Sequence, residues 1–131
     1  MPVEAINHIN ICAPGPLLKT VRDFYVDVLG LVDGERPGMG IKGYWLYAGD
    51  AAILHLMEPR GNGADAKQGD SAIDHFALTC TDLPAMEQRL VQAGVEYYKG
   101  EYPEQGFAQL FVTDPAGLRV ELNFTLSASP D

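Results

Sequence analysis

Four side chains able to hold a metal ion, His8, His55, His75 and Glu121, fall at matching places in an internal repeat. His8 lies in INHINI and His75 in IDHFAL, both following Ile-x-His-x-x-(Ile/Leu), at an offset of 75 − 8 = 67. His55 lies in AAILHLM and Glu121 in GLRVELN, at an offset of 121 − 55 = 66. The agreement points to two copies of one supersecondary unit, each carrying two ligand-type side chains. All the histidines of the chain belong to this set.

An isolated His in a strand is more often a satisfied polar residue than a ligand. The repeat and the apolar flanks change that balance. Residues i and i±2 of a strand share a face, so Ile6, His8 and Asn10 point one way and Asn7, Ile9 and Ile11 the other. Glu121 stands between Val120 and Leu122, and an ionised carboxylate so placed is costly unless paired or bound to a cation. Three imidazoles and one carboxylate suit a divalent transition metal (Zn, Fe, Ni, Co or Mn) and do not suit an all-oxygen calcium cage. Four protein ligands close a tetrahedral zinc site, but in a six-coordinate site they leave two adjacent positions for a substrate with neighbouring oxygens. If His55 is not a ligand, then His8, His75 and Glu121 form a 2-His-1-carboxylate triad with three open positions, and His55 serves as an acid/base. The sequence leaves both arrangements open.

The elements that must position these residues are legible from periodicity. Residues 5–13 alternate and read as a strand, ended by Pro14-Gly15-Pro16. PLLKTVRDFYVDVLG carries Leu17, Val21, Phe24, Tyr25, Val28 and Leu29 at helical spacing, with Gly30 at its end. Residues 31–36, GYWLYAG and AAILHLM read as strands, the last two joined by a hairpin at Gly49-Asp50. The second half repeats the order. AIDHFALTC is a strand and LPAMEQRLVQAG a helix with Leu83, Met86, Leu90 and Val91 on one face. VEYYKGEY, GFAQLFVTD and GLRVELNFT are strands, and Asp114-Pro115-Ala116-Gly117 is a turn.

The expectation is one α+β domain over 1–131, built from a βαβββ module at 5–57, a Gly- and Asp-rich linker at 58–71 and a second βαβββ module at 72–124. The tail SASPD is expected to fray. Arg60 and Lys67 of the linker are expected in solvent.

Composition narrows the partners. A net charge of −9 and a pI near 4.6 argue against nucleic acid, whose phosphates call for clustered Lys and Arg. No apolar run approaches the roughly 20 residues of a membrane helix, and MPVEAINHI does not read as a signal peptide. Cys12 and Cys80 read as buried free thiols of a cytoplasmic protein.

The pieces INHINI, VRDFYVDVLGL, IDHFALT and DPAGLRVEL, in this order, resemble the vicinal oxygen chelate superfamily (glyoxalase I, bleomycin-resistance proteins, fosfomycin-resistance enzymes, extradiol dioxygenases). The resemblance runs from Ile6 to Phe124. It implies a glyoxalase-like fold in which the two modules curl into an open metal-binding cup, usually in a homodimer. His8, His75 and Glu121 match its recurrent ligand positions. His55 stands where glyoxalase I has a carboxylate, which sets this chain apart from that enzyme.

The resemblance implies a metal-dependent enzyme acting on a small molecule through neighbouring oxygens, by isomerase or lyase chemistry. In that reading His55 and Glu121 are the catalytic candidates, and Asn10, Trp45, Tyr47 and Gln109 line the cup as substrate-binding candidates. One of Tyr97, Tyr98 and Tyr102 is a further candidate at the mouth. The rivals are an extradiol-type dioxygenase using the triad, and a non-catalytic ligand-sequestering module of the same fold. A fosfomycin-type transferase would want a basic groove, for which the sequence offers no cluster of Lys and Arg.

Overall fold

The structure, a computed structural model, describes residues 2, 4–38, 40–59, 73 and 75–126. Its elements are β1 (Ile9–Cys12), α1 (Gly15–Asp23) continued by a π-helical turn (Phe24–Val28), β2 (Val32–Gly34), β3 (Gly43–Ala48) and β4 (Ala51–Met57). There follow β5 (Phe76–Cys80), α2 (Leu83–Gln92), β6 (Tyr98–Tyr102), β7 (Phe107–Thr113) and β8 (Arg119–Thr125). The chain divides into two compact units, residues 1–68 and 69–131. Each holds one four-stranded mixed sheet, ordered β1-β4-β3-β2 in the first and β5-β8-β7-β6 in the second. The two orders are the same. The α+β class and the two βαβββ modules read from periodicity are the fold that forms. Residues 60–71 of the expected linker, with Arg60 and Lys67, and the tail at 127–131 lie outside the described residues.

In the first unit, alternation puts Ile11, Leu46, Leu54 and Leu56 on one face of the sheet, all buried. Helix α1 packs against β3 and β4 and buries Leu18 and Val21, with Phe24 and Tyr25 following in the π-helical turn. Leu18 rather than Leu17 faces inward, and Leu17 is 37% exposed. Leu18, Val21 and Tyr25 stand at i, i+3 and i+7, and Leu17 is turned about 100° away from Leu18. The Gly49-Asp50 hairpin is present, with Gly49 at φ +60° and Ala48 paired with Ala51. The register slips by one residue between Leu46 and Tyr47.

In the second unit the buried face is Ala108, Leu110, Val112, Val120, Leu122 and Phe124. Met86 and Leu90 of α2 are buried, and Val91, one step round the helix, is exposed. Asp82 caps α2 by accepting from the Ala85 N–H at 3.2 Å. Lys99 and Tyr97 both donate to Glu87, tying the start of β6 to α2. The Asp114–Gly117 turn is closed by Asp114 Oδ1, which accepts from the Ala116 and Leu118 N–H groups at 2.9 Å each.

The first strand of each unit is shorter than expected. β1 begins at Ile9 and β5 at Phe76, so His8 and His75 immediately precede their strands. Ile6 and Ile73, at matching places, are 87% and 77% exposed, so alternation there does not signal burial. Cys12 and Cys80 are thiols outside any disulfide, as expected, but half-buried rather than buried. Among the described residues no helix is long and apolar enough to cross a membrane.

Candidate functional site

The chemistry-bearing side chains stand on the sheet face opposite the apolar one in both units. In the first unit Asn10 of β1 and Trp45 of β3 are the register neighbours of His55 on either side of β4. The rings form a column. Trp45 stacks on His55 with centroids 4.0 Å apart and planes 9° from parallel, and His8 stacks on the other side of His55 at 3.7 Å and 14°. His8 Nδ1 lies 2.8 Å from Asn7 Oδ1, a contact that orients the ring.

His55 is half-buried, and its pKa lies below the usual imidazole value. Desolvation is the main cause, followed by the neighbouring His8; a backbone hydrogen bond at Ala52 offsets part, and the positive charge of Arg36 adds to the lowering. The ring is therefore neutral at pH 7, the form that binds a metal or accepts a proton. Because the folded value lies below the unfolded one, the stability tied to His55 is complete above about pH 6.5 and is lost as pH falls through the folded value. Melting temperatures at pH 7.5 and pH 5.5 should fall further in the wild type than in His55→Gln. Equal losses in the two proteins would show that His55 is not a source of the acid sensitivity.

In the second unit the equivalent strand positions hold a different pair. Glu121, 7% exposed, has Oε1 3.2 Å from His75 Nε2. Its Oε2 accepts from Asn123 Nδ2 at 2.9 Å. Phe111 is the register neighbour of Glu121 on β7, as Trp45 is of His55 on β3. The rings of Phe111 and His75 meet edge to face with centroids 5.6 Å apart, and Arg119 lies over the Phe111 ring at 4.5 Å. The repeat therefore extends to a third column, an aromatic beside each central donor.

The sequence-predicted residues are thus gathered as two pairs, one in each unit: His8 with His55, and His75 with Glu121. Within neither unit do three or more His, Cys, Asp or Glu side chains gather at metal-binding spacing among the described residues. Asn10 and Trp45 flank His55, and Gln109, register neighbour of Asn123, shares the Glu121 face. The Tyr47 hydroxyl donates to the Glu35 carbonyl at 2.6 Å and so is committed to the exit of β2. Tyr97 is likewise committed to Glu87, while Tyr98 and Tyr102 are exposed on β6.

Sequence reasoning misses Asn7, Asn123, Phe111 and Arg36. The i+2 relation to Glu121 signals Asn123, and the 66-residue offset from Trp45 signals Phe111. Arg36 carries no signal in a loop beside Pro37 and Gly38.

The donor set fits a divalent transition metal by type: nitrogen donors with one carboxylate, His8 oriented by Asn7 and Glu121 by Asn123. One adjustment is required. Stacked rings hold their in-plane lone pairs in near-parallel planes, so His8 and His55 would have to fan apart to converge on one ion.

A family model described as Glyoxalase/Bleomycin resistance protein/Dioxygenase superfamily matches residues 5–122. No curated protein matches the chain. Among solved structures, a putative glyoxalase family protein from Bacillus anthracis is 21% identical at a TM-score of 0.74, over 94% of this chain and 96% of that one. A lactoylglutathione lyase from Agrobacterium tumefaciens is 23% identical at 0.66, over 95% and 96%. The genomically encoded fosfomycin resistance protein FosX of Listeria monocytogenes is 14% identical at 0.67, over 93% of each chain. At these identities the likeness is one of fold.

Proposed function

The chain belongs to the Glyoxalase/Bleomycin resistance protein/Dioxygenase superfamily, and we propose that it is a metal-dependent lyase or isomerase acting on a small molecule with neighbouring oxygens. The observation that carries this reading is the matched placement of the two donor pairs. His8/His55 and His75/Glu121 stand at equivalent positions of two sheets of one topology, each beside an aromatic ring. A packing role alone would not call for ligand-type residues at all four positions.

His8, His75 and Glu121 would hold the metal, with His55 as a fourth ligand or as the acid/base. The ion would supply Lewis-acid polarisation of the substrate's neighbouring oxygens. The protein's own groups do the rest. Neutral His55 can take a proton at a ring nitrogen, and Trp45 beside it offers a flat apolar surface. Glu121, steered by the Asn123 amide, can accept a proton on the oxygen turned toward His75. Gln109 and Asn10 offer amide donors and acceptors for substrate oxygens.

The test is the metal content of protein purified without added metal or chelator, with His55→Ala beside the wild type. Near-stoichiometric Zn, Fe, Ni, Co or Mn that falls sharply in His55→Ala is the expected result. Metal retained in that variant would make His55 an acid/base beside a facial triad and favour a dioxygenase. No metal in either, and none taken up on titration, would overturn the enzyme reading and leave a ligand-sequestering module.

A further inference from the structure

Arg36 follows β2 and is half-buried, yet its Nε is fully enclosed and has no hydrogen-bond partner among the described residues. A buried donor left unmade is costly, and in a charged group more so. Its position is narrowly defined. A Cβ added at Gly43 would first strike the Leu56 carbonyl oxygen of β4 and would meet Arg36 Nη2 at 2.8 Å and Cζ at 3.1 Å, so the guanidinium lies beside the close approach of β3 to β4 at Gly43. Gly43 is two residues before Trp45 on β3 and Leu56 is next to His55 on β4, so the guanidinium lies beside the strand pair that carries the ring column. Its charge is also close enough to act on His55.

We infer that Arg36 is the anchor for a carboxylate carried by a small planar organic molecule whose flat part lies against the Trp45–His55 column. The guanidinium presents N–H groups in a rigid fork that matches the two oxygens of a carboxylate, which an ammonium cannot reproduce. A carboxylate taking that fork turns the guanidinium and gives Nε the acceptor it lacks. The half-exposed rings beside it supply the apolar surface for the rest of the molecule. Such an anchor sets the substrate class of the site proposed above. It rests on that reading for the location, and not on the metal.

Trp45 is the only tryptophan of the chain, so its fluorescence reports on this column alone. The experiment titrates benzoate, and its uncharged analogue benzamide, into the wild type, Arg36→Gln and Arg36→Lys with a metal chelator present. Benzoate should quench saturably in the wild type and bind at least about tenfold more tightly than benzamide, the loss expected for one charge-assisted bond. Arg36→Gln should bring benzoate down to the benzamide level, and Arg36→Lys should fall between. Thermal melts of each variant exclude misfolding as the cause. Equal binding of benzoate and benzamide by the wild type, or unchanged benzoate binding in Arg36→Gln, would overturn the inference. Wild-type affinity in Arg36→Lys would overturn the fork. Because the chelator removes any metal, Arg36-dependent binding in a protein that takes up no metal would sink the metal reading alone.

Discussion

Glu121→Ala should weaken the uptake of a divalent transition metal by at least about a hundredfold, while the metal-free protein melts no lower than the wild type. The expectation rests on the environment of that carboxylate. Glu121 is 7% exposed and meets one imidazole at 3.2 Å and one amide at 2.9 Å. Enclosing a carboxylate costs hydration, which those two contacts go to offset. Removing it relieves that desolvation and leaves the Asn123 amide short of an acceptor, a loss of about 1 kcal/mol. The two effects are of similar size and opposite sign. On the proposed reading a metal would lose the one anionic donor in its set. Glu121→Gln keeps the shape and the Asn123 contact, and should share the metal defect. The measurements are metal titration of each protein and melting in chelator. Unchanged uptake removes Glu121 from the donor set, and a drop of many degrees in the metal-free melt makes its contact with His75 structural.

The largest expected loss of stability is at the opposite face of the same strand. Phe124 is 2% exposed, and its register neighbours are Cys80 on β5 and Ala108 on β7. Neither neighbour is large enough to fill the space a phenyl ring leaves. Phe124→Ala should therefore cost about 3–5 kcal/mol. That is a large share of the roughly 5–15 kcal/mol by which proteins of this kind are stable. Thr125→Ala, one residue on and exposed, should change stability by less than about 0.5 kcal/mol. Urea unfolding of the pair checks this, and a loss below about 1 kcal/mol at Phe124 would mean that the site collapses around the smaller side chain.

Much of this arrangement is written in the spacing of residues. Alternation along AAILHLM and GLRVELN puts His55 and Glu121 across from their apolar neighbours, and the structure has them there. The hairpin at Gly49-Asp50 and the turn at Asp114–Gly117 follow from local backbone preferences, which depend on few residues and so are easily read. The features that spacing hides are those that depend on pairing. Residues 5–8 alternate like a strand, but the pairing with β4 begins only at Ile9 and Leu54, so His8 lies just outside β1. Helical spacing fixes an apolar stripe only to within one step around the helix, so it admits Leu17 to the inner face, and contacts with β3 and β4 choose Leu18 instead. The π-helical turn is invisible in an apolar pattern, since one extra residue in a single turn leaves the i, i+3 and i+4 spacing almost intact. Arg36 is silent because its importance lies in Gly43, which is seven residues away in sequence and adjacent in space.

That π-helical turn has a consequence for how such a chain can change length. Between the two halves the offset is 67 at His8 and His75 (75 − 8), 64 at the residues paired with the central aromatics, Gly34 and Tyr98 (98 − 34), and 66 again at Trp45 and Phe111 (111 − 45). The helical crossover of the first half is therefore three residues longer (67 − 64) and its β2–β3 connection two residues shorter (66 − 64), while the inner columns differ by a single step (67 − 66). The wide turn at Phe24–Val28 takes up one of those three residues within the helix. The two halves thus differ in length where they are scaffolding and keep step where His55 and Glu121 stand beside their aromatic neighbours.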